Sequence, residues 1–317
     1  MSITQRIDNI TFIPENYRSP TPPCPKSVKI ELTGRCNFNC SFCARSQRLR
    51  KTEDMNKDFY KRIVKEMREA GIEELGLFYL GESFLCDWLE EAIHYAKHEV
   101  GIPYVFLTTN GSLSTPERVE SCIRAGLDSL KFSFNYADLE QFKQVARVKP
   151  KLWLKTRNNV VDARLVRDKV KAETGQHCGL YASYIRYDGE QGKRILEEIS
   201  WVEKAMDEVY ALPLYTQAAL VSDSNRKNGW NATAGNRGRA DNLRDPLPCW
   251  AVFTEGHISW DGGLSACCFD HNKDYTMADL TQTPFMQAWH SDKFQQLRQA
   301  HLRHDVSGTP CENCVVG

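Results

Sequence analysis

Six short apolar runs, each closing on polar or glycine residues, punctuate the chain between residues 27 and 215: "SVKIELT", "ELGLFYLGE", "YVFLTTNG", "SLKFSFN", "LYASYIRYDG" and "EVYALPLY". Their alternation and their content of β-branched and aromatic residues predict strands. Between them lie segments with apolar residues at helical spacing, among them "NKDFYKRIVKEMREAG", "LCDWLEEAIHYAKHE", "PERVESCIRAG", "LVRDKVKAETG" and "KRILEEISWVEKAM". Single helices between successive strands impose right-handed crossovers and a parallel sheet. The expected fold is therefore α/β, a partial (β/α)6 TIM-like barrel, with any site on the face formed by the C-terminal ends of the strands.

The flanks read differently. "SPTPPCPK" at residues 19 to 26 is Pro-rich and non-helical, so residues 1–26 read as an N-terminal arm. After residue 222 the stretch "SDSNRKNGWNATAGNRGRADNLRDP" has no hydrophobic period and marks a domain boundary. Beyond it "HISWDGGLSACC" predicts a hairpin and "QTPFMQAWHSDKFQQLRQAHLR" a helix, so residues 27–222 form the barrel and 223–317 a small C-terminal α+β domain.

The charges balance at 41 basic and 41 acidic residues, which leaves no global field to hold a nucleic acid and favours a small-molecule substrate. No run of 18 apolar residues occurs, and the N-terminus lacks the apolar core of a signal peptide. No membrane association is expected, and the location expected is the cytoplasm. In that reducing compartment clustered cysteines point to metal or redox chemistry rather than to disulfides.

Two groups stand out among the 12 cysteines. "RCNFNCSFCAR" places Cys36, Cys40 and Cys43 at the end of the first predicted strand. Three soft thiolates suit three irons of a four-iron cluster, with the fourth iron left for an outside ligand. A structural zinc ion would need a fourth ligand, and no His follows Cys43 within fifty residues. The second group, Cys249, Cys267 or Cys268, Cys311 and Cys314, supplies four thiolates, enough to close a cluster or to make a four-cysteine zinc ribbon. Cys24, Cys86, Cys122 and Cys178 are scattered and read as small buried hydrophobes.

The C-x3-C-x2-C spacing, with aromatic Phe42 before the last Cys, closely resembles the radical S-adenosylmethionine (SAM) superfamily. The resemblance implies that Cys36, Cys40 and Cys43 are catalytic cluster ligands and that SAM chelates the open iron. "YLGES" is similar to the family's GGEP motif, with Leu80 for the first Gly and Ser83 for the Pro, which gives Gly81 and Glu82 the SAM amine. "TTNG" implies ribose contacts from Thr109 and Asn110. "FSFN", with Asn135 in place of the family's Asp, implies a SAM contact from Ser133, and Arg147 falls near the family's carboxylate-binding arginine. The tail resembles the twitch auxiliary domain, the shortened form of the SPASM domain. Cys249, Cys267, Cys311 and Cys314 would then hold one auxiliary 4Fe-4S cluster, Cys267 being preferred over Cys268 for its place after the D-G turn.

Arg186, near a strand's C-terminal end, is a candidate substrate contact; its other reading is a surface ion pair with Asp188 or Glu190. Ten Lys or Arg against two Asp between Lys143 and Lys171 read as a solvated helix face. Twitch relatives include the aminocyclitol dehydrogenase of butirosin synthesis. The expected function is a two-electron oxidation of a sugar, cyclitol or nucleoside, with an electron donor such as flavodoxin or ferredoxin. Epimerisation, decarboxylation and maturation of a ribosomal peptide are the alternatives.

Overall fold

The computed structural model describes residues 1–222 and 229–316. Six parallel strands, β1 (Ser27–Ile30), β2 (Glu74–Gly76), β3 (Tyr104–Thr109), β4 (Ser129–Ser133), β5 (Gly179–Arg186) and β6 (Glu208–Pro213), lie side by side in chain order. They are joined by helices that include α2 (Lys57–Glu69), α3 (Leu89–His94), α4 (Pro116–Arg124), α5 (Leu139–Ala146), α6 (Leu152–Thr174) and α7 (Gly189–Ala205). The expected partial α/β barrel is thus present. Local chemistry explains its helices: in α2 the Asn56 side chain accepts from the Phe59 N–H, and Tyr60, Ile63, Val64 and Met67 bury one stripe. Thr115 caps α4 in the same way, with Pro116 in its first turn.

The tail carries the expected hairpin and joins it to the barrel. Strands β7 (Glu255–Ile258), β8 (Gly263–Ser265) and β9 (Thr276–Asp279) continue the barrel sheet rather than forming one of their own. β7 runs parallel to β1, from Ser27 opposite Glu255 to Ile30 opposite Ile258, and β8 and β9 follow antiparallel. An open barrel leaves the edge of β1 unpaired, and the tail satisfies it. The helix expected over 282–303 is two, α9 (Phe285–Trp289) and α10 (Asp292–Leu302), because the Ser291 hydroxyl accepts from Phe294 N–H and starts a new helix. α8 (Ala251–Thr254) and α11 (Glu312–Val316) complete the tail. The boundary at residue 223, and the loop through 228, fall outside the described residues.

Residues 1–26 contain a helix that the arm reading lacks. In α1 (Ile3–Thr11) Ser2 and Gln5 form a reciprocal capping box. The Ile3 N–H and Thr4 hydroxyl bond the Glu208 carboxylate, Arg6 pairs with Glu74 at 2.6 Å, and Asp8 pairs with Arg239. Glu208 and Glu74 begin β6 and β2, so α1 lies across the N-terminal end of the barrel, and Arg239 ties it to the tail.

Outward strand positions are apolar and buried under the helices: Val28, Ile30, Leu75, Val105, Leu107, Leu130, Phe132 and Leu180. Alternate, inward positions hold Lys29, Glu74, Thr108, Ser129, Lys131, Ser183 and Glu255. A TIM barrel core is filled with branched aliphatics; this lumen places charged groups among aromatic and aliphatic ones and keeps a cavity of about 280 Å³. Lys29 pairs with the buried Glu255 at 2.8 Å, and Glu255 lies 2.9 Å from His257. Burial would raise the Glu255 carboxyl, but Lys29 and His257 outweigh it and hold the group down at about 2. No helix among the described residues is long and apolar enough to cross a membrane.

Candidate active site

The cysteine loop is held from several sides. Arg48 donates to Gly34 O at 2.8 Å and to Leu80 O at 2.9 Å, and Arg50 clasps the buried Glu31 carboxylate at 2.8 and 2.9 Å. The N–H groups of Asn39 and Ser41 bond the carbonyls of Ala146 and Val145, at the end of α5. Cys36, Cys40 and Cys43 are free thiols with one another as electrostatic neighbours. Burial, then the charge of Glu82, push the Cys36 thiol up to about 11, against a hydrogen bond from the Phe38 amide. Burial likewise raises Cys43, which takes a hydrogen bond from the Arg45 amide. Three soft donors in a site that disfavours free thiolates, two with amide N–H···S contacts, fit an iron-sulfur cluster whose metal displaces the protons.

Glu82, Thr109 and Asn110, singled out separately along the chain, form one buried network. One Glu82 carboxylate oxygen accepts the Thr109 hydroxyl and the other the Asn110 N–H, both at 2.8 Å. The Asn110 side chain donates to Asn37 Oδ1 at 2.9 Å, and Asn37 donates to Ser112 at 2.8 Å. Asn37 and Ser112 were missed in the sequence; the Asn directly after Cys36 was the available signal. Glu82 N–H bonds Arg35 O at 2.8 Å, which sets this network against the start of the cysteine loop.

Gly81 is required by space. A Cβ there would lie 2.0 Å from Thr33 O and 2.8 Å from Arg35 O, both backbone atoms that cannot swing away. Gly81→Ala is expected to destabilise the chain by about 3 kcal/mol or more, lowering Tm by roughly 6 °C or more. Thermal unfolding of the two proteins side by side checks this; equal midpoints would refute the close approach.

Ser133 ends β4 beside this network, and Asn135 Oδ1 accepts from Ile185 N–H at 3.1 Å, tying β4 to β5. Arg147 follows α5 in the left-handed region, φ 53°, directly after the residues that hold the cysteine loop. Arg186 is half-exposed and bonds Asp241 at 2.7 Å, not Asp188 or Glu190. The basic stretch runs through α5 and α6: Arg167 pairs with Asp207 and Asp168, Lys169 with Glu120, and Arg157 lies over Trp201.

In the tail, Cys249 N–H bonds His301 Nδ1 at 3.2 Å, Cys267 and Cys268 follow β8, and Cys311 and Cys314 sit at the start of α11. Burial pushes Cys249 up to about 12 and Cys314 to about 11. Cys267 accepts from Phe269 N–H at 3.3 Å; Cys268 accepts from Asn236 Nδ2 at 3.2 Å and lines the lumen cavity. Both feel Cys314, and Cys268 also neighbours Cys249.

One further element links the two cysteine groups. Gln217, Ala218 and Ala219 are successive non-glycine residues with φ of 49°, 59° and 68°, a conformation costing about 1–2 kcal/mol per residue. The turn aims Gln217 Oε1 at Ala44 N–H (2.8 Å) and at His271 Nε2 (3.2 Å), and the Ala218 amide at Cys314. The segment beside Cys43 and the tail are thereby held to one turn. No local motif announces it.

An open parallel barrel with three thiols at a strand end and a second thiol group against its lumen defines a cluster-carrying barrel enzyme. The Radical SAM superfamily profile matches residues 30–199, and the iron-sulfur cluster-binding SPASM profile matches residues 249–315. The chain belongs to the radical SAM superfamily: it is a radical SAM enzyme with a SPASM/twitch domain, and its cofactors are 4Fe-4S clusters and SAM. It is similar to the GTP 3′,8-cyclase of Chlorobaculum tepidum, 28% identical over 120 residues, which are 38% of this chain and 36% of that protein. The match thus spans little more than a third of that relative. Among solved structures it resembles BtrN in complex with AdoMet and 2-DOIA, with TM-score 0.59 and 16% identity over 91% of this chain and 92% of that one. It also resembles SuiB of Streptococcus suis bound to precursor peptide SuiA, with TM-score 0.62 and 15% identity over 87% and 67%. At such identities the likeness concerns the fold.

Proposed function

We propose that the chain is a radical SAM oxidoreductase that removes two electrons from a carbon centre of a sugar, cyclitol or nucleoside. The observation that carries this reading is the position of the lumen cavity. Its wall takes Thr108 and Lys131 from beneath the strand ends and Asn236, Cys268 and Phe269 from the tail. A molecule seated there touches the tail cysteine group at Cys268 and reaches Lys131, two residues below Ser133, and about 280 Å³ suits a small ring better than a peptide segment.

In this reading residues 27–222 are the catalytic barrel and 223–317 the auxiliary domain. Cys36, Cys40 and Cys43 hold one cluster with an open iron, and Cys249, Cys267, Cys311 and Cys314 hold one closed auxiliary cluster. When bound, the first cluster and SAM supply a hydrogen-abstracting 5′-deoxyadenosyl radical. Glu82 orders Thr109 and Asn110, which with Phe42, Gly81, Ser133 and Arg147 surround SAM, and the burial of Glu82 keeps water from that contact. Arg186, exposed and paired with Asp241, lies outside the wall of this cavity, which supports its reading as a surface ion pair rather than as a substrate contact. A closed tail cluster suits electron relay, since it has no vacancy for substrate. Flavodoxin or ferredoxin is the electron donor, and the cytoplasm, where thiols stay reduced, is the location.

The test is anaerobic incubation with SAM, dithionite and candidate sugars, cyclitols and nucleosides. The expected result is one 5′-deoxyadenosine per two-electron-oxidised product. A redox-neutral product or recycled SAM would move the assignment to epimerisation or decarboxylation, and turnover of a peptide alone to peptide maturation.

A further inference from the structure

Lys131 projects into the lumen from the middle of β4, two residues before Ser133. Its amine donates to Ser183 Oγ at 3.1 Å, and among the described residues no carboxylate lies within ion-pair distance. The other charged groups of the lumen are already matched. Lys29 pairs with Glu255, which His257 also approaches, and Arg6 pairs with Glu74. Glu208 is taken by the Ile3 amide and the Thr4 hydroxyl of α1. Lys131 is therefore a lumen cation with no carboxylate partner among the described residues and two donors unspent, against a cavity large enough for a small molecule.

From this geometry we infer that Lys131 anchors an oxyanion of the substrate, a carboxylate or a phosphate, inside the barrel lumen. The inference deepens the oxidoreductase reading and rests on it only for the reaction: it names the class of molecule that the same cavity takes. A half-buried cation on a cavity wall without a counter-ion costs free energy that an incoming anion removes, and the bond so formed is charge-assisted. Burial, then the ammonium of Lys29, push the Lys131 amine down to about 7, which an adjoining anion reverses. The same arrangement selects against aminated substrates, because each carboxylate named above already has its partner. The apolar remainder of the wall, Ile3, Ile7, Phe78, Phe106 and Trp250, suits the carbon skeleton of the ligand.

The reconstituted holoenzyme, kept anaerobic at pH 7, tests this by competitive acetylation. Trace acetic anhydride labels the amines, and peptide mass spectrometry reads Lys131 against the exposed Lys155. Inorganic phosphate and sodium acetate are the two probes, with sodium chloride at matched ionic strength as the reference. Protection of Lys131 by about tenfold with one probe is expected, and the effective probe distinguishes phosphate from carboxylate. Equal labelling in probe and chloride overturns the anchor. Isothermal titration of the effective probe into wild type and Lys131→Met gives a second reading: at least about tenfold weaker binding by the variant is expected, and equal binding overturns the proposal. Should the variant fail to fold, the labelling of the wild type decides alone. Protection accompanied by a redox-neutral product would leave the anchor standing and remove the oxidation; oxidation without protection would do the reverse.

Discussion

Replacing Cys36, Cys40 or Cys43 by alanine abolishes 5′-deoxyadenosine formation and lowers the iron content from about eight to about four per chain. The expectation rests on ligand chemistry rather than on folding. Each thiol is the sole soft donor for its own iron, and the surrounding groups, such as Asn37, Arg48 and Glu31, already have partners within the protein. Alanine adds no bulk, and the loop keeps its ties from Arg48 and from the Asn39 and Ser41 amides. The apo variant should therefore melt within a few degrees of the apo wild type, about 1 kcal/mol apart. Iron analysis, 5′-deoxyadenosine chromatography and thermal melting are the measurements. A variant that retains both iron and SAM cleavage would falsify the assignment of the triplet.

Cys314→Ala has the opposite split. SAM cleavage continues and product disappears, because the first cluster keeps its ligands while the tail cluster loses one of four. About four irons remain. The stability cost is larger than in the first case, since alanine removes the thiol on which the Ala218 and Gly235 amides converge, and cluster binding adds to folding. Under the assignment of Cys267, Cys267→Ser loses the same irons and Cys268→Ser keeps all of them. Retention of iron by Cys267→Ser with loss by Cys268→Ser would transfer the role to the thiol that lines the cavity. Product formation by Cys314→Ala at the wild-type rate would remove the tail from the reaction.

The strands, their order and the cysteine loop were legible because their signals are local. Val28 and Ile30 alternate with Ser27 and Lys29 on one short strand, and Asn56 and Thr115 cap helices three residues away at most. The lumen was legible in the same alternation, Lys29 and Lys131 standing where a packed barrel has aliphatics, once those positions are read as inward-facing. Helix α1 had its signal in Ser2 and Gln5. In contrast, the pairing of β1 with β7 joins residues more than two hundred positions apart, and the capping serine that breaks α9 from α10 lies inside an unbroken helical pattern.

Glu82, Thr109 and Asn110 mark the middle case: each was visible as a strand-end residue, and their union in one hydrogen-bonded set, completed by Asn37, was not. The left-handed turn at Gln217 is further still from the sequence, because Ala218 and Ala219 favour ordinary helix and hold positive φ only through contacts at Ala44, His271 and Cys314.

What the sequence determined alone is the chemistry that short spacings carry: three soft donors at a strand end, four more in the tail, and an open parallel barrel to present them. Tertiary structure alone decided which charges meet. The pairing of Lys29 with Glu255, of Arg6 with Glu74, and the solitude of Lys131 follow from strand register across the lumen, where groups remote in the chain share one low-dielectric space.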